Sequence, residues 1–220
     1  MSDIYIFGAG VLAKLAATLL NPSQRKSFKA FVVDDDYLHL YPSESNIIAT
    51  TDLKRIAKNT TVSLFCALGH KSMRSRKDVF HRLSALDVNF INIFSDGAIL
   101  MNDVSIGSNN IFFPGVVVEM SVTIGDNNIF WSNSTICHDT VICSHNFFAA
   151  NATIGGSCAI GSMCFFGFSS TLFHNLQVQD NVLLAGCACA SSSLVSDTRY
   201  QGVPAKAYGR IDPAVGIYVE

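Results

Sequence analysis

Between Gly97 and Thr198 the sequence contains no lysine and no arginine, and twelve of its fifteen basic residues lie before residue 83. A surface that binds nucleic acid must present cationic side chains to phosphates, so nucleic acid is excluded as a partner. No apolar run reaches the length of about 20 residues that a membrane-spanning helix needs, and no membrane span is expected. The seven cysteines lack the spacing of a disulfide framework. Cys158 and Cys164 fall at small, inward positions of the repeat described below, with Cys137 and Cys143 at neighbouring ones, so packing accounts for them more simply than zinc, and no metal site is expected. The stretch Met1 to Phe7 reads directly as a strand, without a charged leader followed by an apolar signal segment. A cytoplasmic enzyme is the expectation.

What is present is apolar and periodic. With 220 residues, 49 % of them apolar, the chain suits one large or two small domains with a sizeable core. Fifteen large apolar residues recur at every sixth position: Leu100, Ile106, Phe112, Val118, Ile124, Phe130, Ile136, Ile142, Phe148, Ile154, Ile160, Phe166, Leu172, Val178 and Leu184. Small or short side chains stand four residues further on at Asn110, Ser134, Thr140, Ala152, Cys158, Ser170 and Ala188. An ordinary sheet would lose this phase at its turns within a few repeats, whereas a parallel β-helix of hexapeptides keeps it. Three hexads make one triangular coil. Residues one coil apart therefore stack, which places Phe94, Phe112, Phe130, Phe148 and Phe166 in one column and Asn110, Asn128 and Asn146 in another. Like side chains stacked along a sheet attract one another, so both columns are read as structural. Outward positions include Phe113, Trp131, Phe147, Phe165 and Phe173, an apolar face that self-association is expected to cover.

The first ninety residues read differently. An apolar strand through Ile4–Phe7 leads into Gly8-Ala9-Gly10-Val11-Leu12-Ala13, a helix over Lys14–Leu20, and a second strand over Ala30–Val33 that closes on Asp34, Asp35 and Asp36. The match to G-x-G-x-x-A is a short one. Glycines there let a phosphate approach a helix N-terminus, and an acid after the second strand can accept hydrogen bonds from a ribose. With further strands at Val62–Leu68 and Val88–Ile93, about four parallel strands are expected, half a dinucleotide-binding fold. Arg74, Arg76 and Lys77 follow Gly69 where open α/β sheets bind ligands, although a solvated helix face explains them equally well.

The β-helical stretch has three histidines, His138, His145 and His174. His138, in Cys137-His138-Asp139, lies near a corner with Gly156 stacked one coil above. A neutral imidazole can take a proton from an amine or hydroxyl, and an amide at a side-chain-free glycine can hold the oxyanion of a thioester intermediate. Asp139 would raise the basicity of His138. The pair points to acyl transfer; the alternative is a polar turn dipeptide.

Gly8-Ala9-Gly10, Asp34-Asp35, Ala67-Leu68-Gly69, His138-Asp139, Ala152-Thr153-Ile154-Gly155-Gly156, Phe166-Gly167-Phe168 and Gly202-Val203-Pro204-Ala205-Lys206 together resemble bacterial sugar acyltransferases of the sialic-acid O-acetyltransferase type. Among these the chain is most similar to N-acetyltransferases of nucleotide-linked 4-amino-4,6-dideoxy sugars. The resemblance implies an α/β, half-Rossmann-like domain over residues 1–93, which binds the nucleotide sugar. A left-handed parallel β-helix with a C-terminal tail follows over residues 94–220. It implies a homotrimer with sites between subunits and acetyl-CoA as co-substrate. His138 would be the general base, tuned by Asp139, with the Gly156 amide on the thioester oxygen. Phe168 and Gly186 would line the acyl-CoA crevice, and Gly10, Val11, Leu12, Asp34, Asp35 and Gly69 the nucleotide site. Arg199, Lys206 and Arg210 are the only cations beyond the repeat and should flank the phosphates of coenzyme A.

Two positions depart from the family. Val11-Leu12 replaces a Gly-His that the family often has after its first glycine pair, leaving the nucleotide open. Phe147 replaces a second histidine near the thioester, so either His145 substitutes or the acyl pocket is more apolar. O-acylation is the nearest rival reading; a catalytically silent trimeric scaffold or a nicotinamide-dependent oxidoreductase are readings of another class.

Overall fold

The structure, a computed structural model, describes residues 2–42 and 46–219. Met1, the first residue of the expected opening strand, lies outside the described residues.

The N-terminal unit is a parallel sheet with helices. Its elements are β1 (Asp3–Phe7), α1 (Val11–Leu19), α2 (Pro22–Ser27), β2 (Phe28–Val33), β3 (Ile47–Ala49), α3 (Thr50–Ala57), β4 (Val62–Cys66), α4 (Met73–Ser84) and β5 (Asn89–Phe90). The strand order is β3-β2-β1-β4-β5. Five strands pair where about four were expected. The additional β3 is three residues long and gains its identity only by pairing with Phe31, Val32 and Val33. The central strands are continuous apolar runs because helices and the second domain cover both faces.

From Ile93 the chain winds into coils of three two-residue strands, each pairing with the strand one coil on, as in Val117↔Thr135 and Thr135↔Thr153. Three parallel sheets result. The first holds Ile93–Phe94, Ile111–Phe112, Ile129–Phe130, Phe147–Phe148, Phe165–Phe166 and Leu183–Leu184. The second runs from Ile99–Leu100 to Cys189–Ala190 and the third from Ser105–Ile106 to Gln177–Val178. The coil is a left-handed parallel β-helix.

Sharp corners are possible because every sixth residue from Asp103 to Cys187 has positive φ, and Asn, Asp and Ser, which tolerate that region, fill most of these positions. Phe112, Phe130, Phe148 and Phe166 stack inside, with Phe94 exposed at the start of the column, neighbouring centroids lying 4.7 to 5.0 Å apart and planes within 7°. The asparagine column is a hydrogen-bond ladder. Asn110 Oδ1 accepts from Asn128 N (2.8 Å), Asn128 Oδ1 from Asn146 N (2.8 Å), and Asn146 Oδ1 from Cys164 N (2.7 Å).

Much of the apolar outer face of the first sheet is covered within the chain itself. Phe113, Phe147 and Phe165 are buried within the chain, and His70 of the N-terminal domain packs on Phe147 and Phe165. This corrects the expectation that self-association covers them; of the five outward aromatics, Phe173 stays exposed and Trp131 half-buried.

Hydrogen bonds fix the contact between domains. Asn109 mimics a strand partner of Cys66, accepting from its N–H at 2.7 Å and donating to its carbonyl at 3.2 Å. Arg76 is neither a solvated residue nor part of a ligand site. It is fully buried and donates to the carbonyls of Asn127, His145 (3.1 Å) and Asn146 (3.3 Å). Loss of solvent lowers its pKa to about 10, where it still carries its charge at neutral pH. The C-terminal segment then returns: Ile217 is buried and its carbonyl accepts from Met73 N (3.0 Å), while Val219 N donates to Lys71 O (3.1 Å).

Candidate active site

His138 and Asp139 occupy a corner between the second and third sheets. Asp139 is one of the positive-φ residues (57°), and the tight corner turns its carboxylate back onto its neighbour, Oδ2 lying 2.8 Å from His138 Nδ1. A proton on Nδ1 held by that carboxylate leaves Nε2 as the basic nitrogen. The backbone N–H of His138 donates to Glu119 Oε2 at 2.9 Å, which steadies the turn from the coil below. Both side chains are about half exposed.

Gly156 lies beside the ring. A Cβ there would sit 2.8 Å from His138 Cε1 and Nε2, so the imidazole occupies space that only glycine leaves open. No group among the described residues accepts from the Gly156 N–H, while its carbonyl accepts from Asn175 N at 2.9 Å. The arrangement offers a base and an unpaired amide donor a few ångströms apart.

The glycine-rich loop forms the other half of the site. Gly8 has φ of 112°, and a Cβ there would stand 3.0 Å from Ala67 O, so the turn between β1 and α1 needs glycine. At Gly10 a Cβ would meet nothing within 4 Å; its bareness leaves the N-terminus of α1, which no side chain caps, open to approach. Val11 is exposed and Leu12 is buried beneath it. Gly10, Val11, Leu12 and Gly69 line a cleft of about 630 Å³ whose far wall is His70, Trp131 and Phe147. Those three residues are shared with an adjoining cleft of about 420 Å³ that runs on to Phe165, Phe168 and Gly186. Asp34 faces a smaller cleft of about 280 Å³ beyond Gly8. Its carboxylate is already engaged by Arg82 (2.7 and 2.8 Å) and by Thr50 (3.1 Å). Asp35 pairs with Thr51, whose hydroxyl holds its carboxyl below the ordinary value.

His145 does not take the place of a second histidine. It is buried, accepts at Nδ1 from Asn127 Nδ2 (2.9 Å), and packs against Phe80 and His81. Burial and the nearby Arg76 push its pKa down to about 3. Lys206 begins the second strand of a hairpin, Thr198–Gln201 with Lys206–Arg210, and is exposed beside the last coil; Arg210 is tied to Ser196 O (3.2 Å) and Thr198 Oγ1 (2.7 Å). The cysteines are all free, and among the described residues no group of three or more His, Cys, Asp or Glu is placed to hold a metal. No helix among them is long and apolar enough to cross a membrane.

One chain does not bring these pieces together. Phe168 and Gly186 follow strands of the first sheet, whereas His138 and Gly156 follow strands of the second, so the two sets stand on different corners of the prism. His70 and Trp131 form the central wall of the cleft, a role that the sequence reading had not assigned to them. The only signal was His70 directly after Gly69, a residue already in the candidate set.

These features define a hexapeptide β-helix carrying a small α/β domain built on a parallel sheet. Residues 121–156 match the bacterial transferase hexapeptide family (six repeats). No curated protein matches the chain in sequence. Among solved structures, a variant of perosamine N-acetyltransferase from Caulobacter crescentus, in complex with CoA and GDP-perosamine, shares 18 % identity. It has a TM-score of 0.83 over 95 % of this chain and 98 % of its own. The acetyltransferase domain of PglB from Neisseria gonorrhoeae (18 %, TM-score 0.79, 94 % and 100 % covered) and WeeI from Acinetobacter baumannii (18 %, 0.83, 94 % and 100 %) are similar over both domains. The likeness is one of fold, end to end.

Proposed function

We propose that the protein transfers an acetyl group from acetyl-CoA to the amino group of a nucleotide-linked 4-amino-4,6-dideoxy sugar. The observation that carries this reading is the His138–Asp139 pair set over the bare, unpaired amide of Gly156. His138 Nε2 removes a proton from the sugar amine as its nitrogen forms a bond to the thioester carbonyl carbon. The carbonyl oxygen becomes an oxyanion beside the Gly156 N–H, and collapse expels the coenzyme as a thiolate that takes the proton from His138. No covalent enzyme intermediate is needed, and orientation of the two substrates supplies much of the rate.

The residues fit the two substrates. An uncapped helix N-terminus beside Gly10 suits a diphosphate, and the apolar cleft reaching Phe168 and Gly186 suits the thioester end of acyl-CoA, with Lys206 as a free cation near the last coil. The separation of the two corners is resolved if a second copy sets its His138–Gly156 corner against the cleft of the first, as in a homotrimer. Neighbours of the same fold have been seen with CoA, GDP-perosamine and acetyl-CoA, which supports this choice of ligands.

The test is thiol release from acetyl-CoA with a panel of UDP-, dTDP- and GDP-linked 4-amino sugars. Turnover is expected with one member and a loss of about 10²- to 10⁴-fold in His138→Ala. If the native protein releases no thiol with any amino sugar, N-acetylation is wrong and hydroxyl acceptors are the next trial.

A further inference from the structure

His70 belongs to the N-terminal domain but sits against the β-helix, at the junction of the two clefts. Its ring lies 4.6 Å from that of Phe147 and 5.9 Å from that of Phe165. Phe147 is itself part of a fixed stack, 5.0 Å from Phe165 with parallel planes. The imidazole therefore packs, tilted by 50°, on a stacked aromatic pair. Neither ring nitrogen is hydrogen-bonded to any described residue, although the ring is about half-buried. Desolvation, and next the charge of Arg76, lower its pKa below 6.5, so it is neutral at pH 7 with one N–H to donate and one lone pair to offer.

Trp131 faces the same space. Its indole Nε1 is buried without a hydrogen-bond partner, and its ring is clamped by Phe113 at 4.2 Å. A buried donor left without an acceptor is destabilising, so a group that supplies one is favoured there. Two unpaired polar groups packed on aromatic rings, within walls whose other side chains are apolar apart from Lys71, are the arrangement of a ligand pocket in which a few polar atoms set orientation.

We propose that His70 and Trp131 together hold an uncharged oxygen of a bound substrate, and that His70 is a substrate-contacting residue of the acyl-transfer site. The oxygen is either a sugar hydroxyl of the nucleotide-linked acceptor or a carbonyl of the acyl-CoA; both are neutral acceptors that suit two uncharged ring nitrogens set among mostly apolar walls. The proposal rests on the acyl-transfer reading for its substrates.

Trp131 is the only tryptophan of the chain, so its fluorescence reports directly on this cleft. The experiment titrates the native protein, His70→Phe and His70→Gln with acetyl-CoA and, separately, with the nucleotide sugar, and measures steady-state kinetics for each. Phe keeps the packing on Phe147 and loses both nitrogens; Gln keeps a donor and an acceptor. One of the two ligands is expected to change Trp131 emission, and the ligand that does so identifies which oxygen is held. For that ligand His70→Phe should weaken binding and raise KM about tenfold, with circular dichroism unchanged, and His70→Gln should recover part of the loss. Unaltered binding and KM in His70→Phe, or no emission change with either ligand, would overturn the proposal. Absence of thiol release in the native protein counts against the acyl-transfer reading alone, because the fluorescence titration still reads His70.

Discussion

At the residue scale the active corner is a matter of what glycine leaves out. Because a Cβ on Gly156 would lie 2.8 Å from the His138 ring, Gly156→Ala must push the imidazole off its position while leaving the coil's backbone free to form. We expect a fall in kcat of at least about tenfold with an unchanged melting temperature, read from thiol release and thermal denaturation in parallel. His145 supplies a second residue-scale prediction, concerning stability. Its pKa is about 3 in the folded chain against about 6.5 when unfolded. Between those values the unfolded chain binds the extra proton, so stability falls as pH drops below about 6.5 and the loss continues down to about 3. Asn already occupies the equivalent corners at Asn109 and Asn127, with positive φ. His145→Asn should therefore fold, and its urea midpoint should depend less on pH across that window than the native protein's. An equal pH dependence in both would show that His145 is not the titrating group.

At the element scale the β-helix is held by repetition. Each two-residue strand is far too short to stand alone; it persists because the coils above and below repeat both its register and its side chain. The Asn110–Asn128–Asn146 ladder satisfies backbone N–H groups at corners that have no strand partner. Replacing its middle member, Asn128→Leu, keeps the volume and removes the acceptor of the buried Asn146 N–H. A loss of about 1 to 3 kcal/mol is expected, measured as a lower denaturation midpoint. A midpoint equal to the native one would mean that a water or a shifted carbonyl takes over the role.

At the scale of the whole molecule, the two domains are coupled through the first sheet. Arg76 is a central tie, since with it the carbonyls of Asn127 and His145 lose their donor and that of Asn146, which also accepts from Ile129 N, loses one of two. Arg76→Met keeps much of the apolar stem and should split thermal unfolding into two transitions, the α/β domain melting before the β-helix in calorimetry. A single transition would place the coupling in the apolar contacts of His70, Phe147 and Phe165 and in the returning C-terminal segment instead.

Periodicity alone determined the β-helix, its three-hexad coil and the two stacked columns, because each coil contacts only its neighbours and a fixed chain separation becomes a fixed spatial one. The pairing of His138 with Gly156 was legible for the same reason: the two are one coil apart. The α/β domain was legible as strand, glycine turn and helix, but β3 was not, since its three residues carry too little pattern and are defined by their partner. Sequence could not reveal what covers the outer aromatics. On Phe147 and Phe165 that cover includes His70, dozens of residues away with no periodic relation to them, and only packing between domains brings them together. The same packing removed His145 and Arg76 from the list of site candidates by burying them, and placed His70 and Trp131 in the cleft. A solenoid's interior follows from its repeat, whereas its docked surface depends on shape and hydrogen-bond complementarity between elements remote in the chain.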